Sequence, residues 1–247
     1  SIKTAYTLIC QNFNEFIRRL SIIMLEDCHL HYSISYIVWM MVAYPEYQPT
    51  EDDINYLLKI VEYLVSIKYK DLPDKIEYSV INNIGNINKL DTKYLSVIYS
   101  MSLRRSYGGM NGDMLLISYF IKNWTKRFQD NKLINNEVFS KINMNKRFLL
   151  NEKLLLGDDI NYSGIDFHCF PGMLSYLNKI YPDVDEDLFK KLIWDNISSI
   201  NHREFVDDNL QIIEKKKFSK YEIDLWNSYK MDIIKTIIKF KEMIFNL

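Results

Sequence analysis

The sequence predicts an all-α fold, an irregular bundle of about nine or ten helices in one domain or two helical halves. Three observations carry that reading. Apolar residues recur at spacings of three and four along most of the chain, the signature of an amphipathic helix. No stretch alternates with period two between hairpin turns, and the one Asn-Gly pair, Asn111-Gly112, is flanked by helical patterns. Only seven glycines and five prolines interrupt 247 residues.

Residues 5–25 place Phe13, Phe16, Ile17, Leu20, Met24 and Leu25 on one helical face. Residues 34–43 form a second apolar helix, which ends near Pro45. Thr50 followed by Asp53 reads as a capping box, and Ile54, Leu57, Leu58, Val61 and Leu64 then line a third helix. A weaker segment covers 75–89. Asp91 caps the helix "TKYLSVIYSMSLRR", and "DMLLISYFIKNWTKRF" makes a strong helix over 113–128. A short helix is expected at 147–156, then two more at 171–181 and 185–198, with Asp183 or Asp185 as caps. The longest helix closes the sequence, with Tyr229, Ile233, Ile237, Phe240 and Ile244 on its stripe. The Asn-rich stretch 129–146 is the predicted connection between an N-terminal unit, 1–128, and a C-terminal unit, 147–247.

Nearly half the residues are apolar and 14% are aromatic, which excludes a disordered chain. Lys and Arg number 31 against 32 Asp and Glu, and the pI of about 6.4 argues against a dedicated polyanion binder. A local basic face is compatible with that balance. Three widely spaced cysteines without a CxxC fit a reducing compartment and argue against a disulfide framework or a cysteine-built zinc site. No apolar run reaches the roughly 18 residues of a membrane span. The expectation is an intracellular protein of the cytoplasm, the nucleus or a viral factory, without membrane, metal or cofactor. The first residue is Ser rather than Met, which is compatible with a trimmed fragment. The preference for Asn, Lys, Ile and Tyr reads as the codon bias of an AT-rich genome, such as that of a protist or a large DNA virus.

Four clusters could carry chemistry. In "RRSYGGMNGD" (104–113), Arg104 and Arg105 precede three glycines, the wrong order for a P-loop. The simpler reading is a helix–loop–helix corner, with Gly108 or Gly109 at the left-handed position after one helix and Asn111 or Asp113 capping the next. The other reading is an anion site made by Arg104, Arg105, Gly108, Gly109, Gly112 and Asp113 at a helix N-terminus. In "RRLSIIMLEDCHLH" (18–31), Arg18, Arg19, Glu26 and Asp27 read as ion pairs bracing helices. Metal ligation there would need Glu26, Cys28, His29 and His31, but His29 and His31 point apart on a helix. In "YSGIDFHCFPGML" (162–174), Asp166 and His168 can face one side of an extended segment, as acid–base chemistry requires. Lys215, Lys216, Lys217 and Lys220 form the one basic concentration, suited to a nucleic-acid backbone or to a solvated face.

Residues 14–66 resemble the C-terminal helical region of the RarA/MgsA family of clamp-loader-like AAA+ ATPases. The resemblance rests on Arg18-Arg19-Leu20, Glu26-Asp27, Pro45-Glu46 and Tyr63-Leu64. The chain carries no Walker A or Walker B motif, so the resemblance implies an oligomerising helical module in DNA replication or repair, without ATPase activity. Residues 162–174 are similar to the Asp-bearing turn of helix-hairpin-helix DNA glycosylases. There Asp166 and His168 match the catalytic stretch, while Gly157 stands alone where that family has a two-glycine hairpin. The resulting expectation is a non-catalytic module that binds proteins, and DNA through a local basic face, in a nucleic-acid-processing assembly. The alternatives are a nucleobase- or nucleoside-processing enzyme using Asp166, and a structural or virion component. A homo-oligomer is compatible with the first and the last.

Overall fold

The computed structural model describes residues 2–71, 90–132, 140–145, 147–148, 170–197, 204–206, 211–213 and 217–245. Among them are nine helices: α1 (Ile2–Gln11), α2 (Phe13–Asp27), α3 (Ile34–Ala43), α4 (Glu51–Ser66), α5 (Thr92–Ser106), α6 (Asn111–Gln129), α7 (Phe170–Ile180), α8 (Glu186–Ile197) and α9 (Lys220–Phe245). The all-α expectation is met, with one addition. Strands β1 (Tyr69–Asp71), β2 (Glu204–Val206) and β3 (Ile212–Ile213) form a small sheet in the order β1-β2-β3. The β2–β3 pair is antiparallel, with Phe205 opposite Ile213 and Val206 opposite Ile212. Strands of two or three residues are too short to show a period of two.

The chain divides into two compact units, Ser1–Leu156 with Phe205–Ile213, and Gly157–Glu204 with Glu214–Leu247. In the first, α3 packs against both α2 and α5, and α6 closes the ring against the same two helices, while α1 lies on α2 and α4. The single helix expected over 5–25 is two. Asn12 leaves helical geometry at φ −156° and its side chain accepts from the Glu15 amide, ending α1 and capping α2. Asn competes for its own backbone in this way, which is why it favours caps over helix interiors. The capping box at α4 is complete. Thr50 Oγ1 accepts from Asp53 N, and the Asp53 carboxylate accepts from Thr50 N. Asp91 likewise accepts from Lys93 N at the start of α5.

Leu57, Leu58 and Ile60 of α4, Ile98 and Met101 of α5, and Ile117, Phe120 and Trp124 of α6 are wholly buried. Part of the Asn-rich stretch joins this core. Ile142 and Phe148 are buried in it, Phe148 N donates to Asn55 Oδ1 at 3.2 Å, and Ser140 Oγ donates to Tyr63 OH. The compact unit therefore extends beyond the expected boundary at 128. The expected segments 75–89 and 149–156 lie outside the described residues.

A buried ion pair crosses this unit. Arg127 Nη1 of α6 sits 3.1 Å from both Asp71 oxygens, with side-chain exposures of 3% and 1%. Trp124 Nε1 donates to Asp71 Oδ2, and the guanidinium lies over the Trp124 ring. Asp71 N donates to Cys28 O just beyond α2. Ser33 N donates to His31 Nδ1, so the Nε2 of that imidazole holds the proton and donates to Ser140 O at 2.9 Å.

In the second unit, Met173, Leu174 and Leu177 of α7, Phe189, Leu192, Ile193 and Ile197 of α8, and Ile233 and Ile237 of α9 form the core. Tyr181 donates to Asp232, and its ring meets Phe189 and Tyr229. Asp185, not Asp183, caps α8 by accepting from Asp187 N. A Cβ on Gly172 would stand 2.8 Å from the Phe240 ring, which would have to shift to admit a side chain there.

Asp71→Asn removes one charge of a buried pair and is expected to lower unfolding stability by about 3 kcal/mol or more, read as a shifted denaturant midpoint. Burial pulls the His31 imidazole down to about 4, with the Ser140 bond opposing. Its stability contribution is therefore full above about pH 6.5 and is lost as the pH falls toward 4, because the unfolded chain takes up the proton first. Denaturation midpoints should fall between about pH 7 and about pH 5, and His31→Asn should flatten that fall.

Candidate functional site

The α5–α6 corner is built as the first sequence reading expects. Helix α5 ends at Ser106, and Gly108 N donates to Arg105 O at 3.0 Å. Gly108 (φ +76°) and Gly109 (φ +149°) hold conformations that side chains disfavour. The expected cap of α6 is corrected: Met110 is the N-cap and makes no side-chain bond, while Asn111 and Asp113 already lie inside the helix. Gly112 faces open space where a Cβ would stand.

Arg104 is only 4% exposed, whereas Arg105 is exposed. Arg104 Nε donates to Arg18 O at 3.2 Å and Ser21 Oγ at 3.1 Å, and Nη1 donates to Gly108 O at 2.9 Å. It thereby pins α5 to α2 and closes its own helix end. Burial and the nearby Arg18 charge lower this guanidinium, with Asp113 opposing them.

Of Arg18, Arg19, Glu26 and Asp27, expected in ion pairs that brace helices, Arg19 forms its pair within its own helix. Arg19 pairs with Glu15 at 3.2 Å, one turn away on its own helix, and both side chains are about half exposed. Arg18 contributes its backbone carbonyl. Glu26 is exposed and has no ion pair among the described residues. Desolvation and the adjacent Asp27 raise its carboxyl, with Lys70 opposing. A helix presents an internal partner at i+4, so the Arg19 charge is met within α2 rather than across helices.

Asp166, His168, Lys215 and Lys216 lie outside the described residues. Lys217 and Lys220 are exposed. Among the described residues, no three His, Cys, Asp or Glu side chains gather as a metal site requires, and no helix is long and apolar enough to cross a membrane.

The sequence reading missed a surface on α3 and α5. Ser35 of α3 meets Ser96 and Ser100 of α5, with hydroxyl distances of 3.2 and 3.0 Å. Trp39 and Val42 follow Ser35 at i+4 and i+7, and Tyr99 and Leu103 follow Ser96 at i+3 and i+7, so each pair shares a helix face with its serine. These four are 50%, 41%, 56% and 43% exposed. The three serine hydroxyls join the two helices beside these exposed apolar residues. Behind Trp39, Tyr36 and Tyr47 donate to the two oxygens of Asp53 at 2.6 and 2.7 Å. Trp39 stacks edge-on to Tyr47, with ring centroids 5.2 Å apart. The signal was present in "ISYIVWMMVA", which has no charged residue on any side, although a helix at a protein surface ordinarily carries a polar face.

No family model, no curated protein and no solved structure matches this chain.

Because Glu26 is exposed and has no ion pair among the described residues, Glu26→Ala is expected to leave stability within about 0.5 kcal/mol of the unaltered chain by thermal or chemical denaturation. Ser21→Ala, which leaves Arg104 Nε with the Arg18 carbonyl as its one remaining acceptor, should cost about 1 kcal/mol.

Proposed function

We propose that the protein is a helical interaction module that docks a partner protein on the α3–α5 face. One observation carries this reading: a helix without a charged residue stands at the surface of its unit with Trp39 and Val42 half exposed. Large exposed apolar surfaces mark interaction sites, and Trp and Tyr are the residues that most often dominate binding energy. The seam suits an amphipathic helix laid between α3 and α5 with its apolar face inward. The resemblance of residues 14–66 to the RarA/MgsA helical region is what supports a partner from a DNA replication or repair assembly.

A photo-crosslinking amino acid at position 39 or 99 should capture the same protein from cells, while one at exposed Lys220 should not. Trp39→Glu should abolish capture from position 99 with the fold intact by circular dichroism. Capture no stronger at 39 and 99 than at 220 would sink this reading.

A further inference from the structure

We propose that the α5–α6 corner is a binding site for phosphate, as the inorganic ion or a monoester, held between Arg104 and the N-terminus of α6. The first backbone bond of α6 runs from Met114 N to Met110 O at 3.2 Å. With no side chain capping from Met110, the amides of Asn111, Gly112 and Asp113 are without an acceptor among the described residues. Three open amides at the positive end of a 19-residue helix attract an anion.

The independent sign of a ligand is Arg104. A guanidinium 4% exposed ordinarily meets a carboxylate, because an uncompensated buried charge is costly. Every acceptor of Arg104 is neutral: two backbone carbonyls and the Ser21 hydroxyl. Its Nη2 has no hydrogen bond among the described residues and stands 4.0 Å from the point a Gly109 side chain would occupy. The Asp113 carboxylate lies 3.6 Å and the Met114 methyl 3.2 Å from that same point, so these three groups surround the place where a Gly109 side chain would stand. Gly109, Asn111 and Gly112 are exposed, which leaves the crevice open to solvent.

Asp113 selects among oxyanions. A carboxylate among donors repels a fully ionised ligand but accepts a hydrogen bond from one that keeps a proton. Phosphate and its monoesters keep one in part near neutral pH, with a second pKa of about 6 to 7, and can be bound in that form. Sulfate keeps none. The other charged groups around the corner are Arg105 on α5 and Arg18 and Glu26 on α2. The arginines favour any anion, Glu26 disfavours any anion, and none of the three distinguishes phosphate from sulfate.

The test is an amide-resolved NMR titration of the intact chain at fixed ionic strength with inorganic phosphate, methyl phosphate and sulfate. Saturable shifts at Gly109, Asn111, Gly112 and Asp113 with phosphate or methyl phosphate, and at least several-fold weaker ones with sulfate, are expected. The stronger of the first two names the source. Asp113→Asn should erase the preference over sulfate. Met110→Asp gives α6 its own carboxylate cap, so it should raise the melting temperature and abolish the shifts together, which separates lost binding from lost folding. Absence of saturation, an equal response to sulfate, or shifts that survive Met110→Asp would overturn the site.

Discussion

The Asp71–Arg127 pair is the constraint on which the first unit depends. Two opposite charges at 1% and 3% exposure have lost their water, and a buried pair replaces that water only when its geometry is good and its remaining groups are hydrogen-bonded. Here both oxygens meet the guanidinium, Trp124 donates from its own ring, and the same ring carries the cation on its face. Three segments distant in sequence are thereby indexed to one another. The strand after α4 is held to the last turns of α6, and through Asp71 N to the end of α2. Apolar packing alone tolerates sliding of helices by part of a turn. A charge pair with one acceptable register does not.

Much of this architecture was legible in the sequence where the signal was local. The Thr50–Asp53 capping box, the Asp91 cap, the apolar α3 and the Gly108 corner each lie within a few residues of the atoms they satisfy. What escaped was set by partners far away in the chain. Asp71 and Arg127 are 56 residues apart, and nothing near either announces the other. Arg19 departed for the opposite reason: in place of a brace between helices it took Glu15, one turn back on its own helix. The three strands were illegible because two or three residues cannot display a period. The α3–α5 face was half legible. The missing polar side of α3 was in plain view, but only the packing shows which of its apolar residues remain outside.

Asp53 shows how one side chain serves both the fold and the candidate interface. Burial raises its carboxyl, yet hydrogen bonds from Tyr36, Tyr47 and the Thr50 backbone and hydroxyl outweigh that and hold it down to about 2. The carboxylate therefore stays ionised across the physiological range, completing the α4 cap while fixing two tyrosine hydroxyls. Tyr47 in turn backs the Trp39 ring. An exposed tryptophan on a mobile support would lose rotamer freedom on binding, and that loss opposes association. One backed by anchored rings has already lost it on folding, which favours Trp39 as a docking anchor.

The two buried arginines of the first unit make the sharpest contrast in the molecule. Both are almost wholly enclosed, Arg104 joining α5 to α2 and Arg127 joining α6 to β1. Arg127 has its carboxylate. Arg104 has carbonyl oxygens and a serine, which satisfy donor geometry and leave the charge uncompensated, with the positive end of α6 adding to it and Arg18 close by on α2. Asp113 offsets part of this field without reaching ion-pair distance. If Arg104 served only to pin α5 to α2, a neutral donor of the same length would do so at lower desolvation cost. A full charge retained at that depth, beside an uncapped helix and an exposed glycine, is accounted for by an anion that completes the corner from outside the chain.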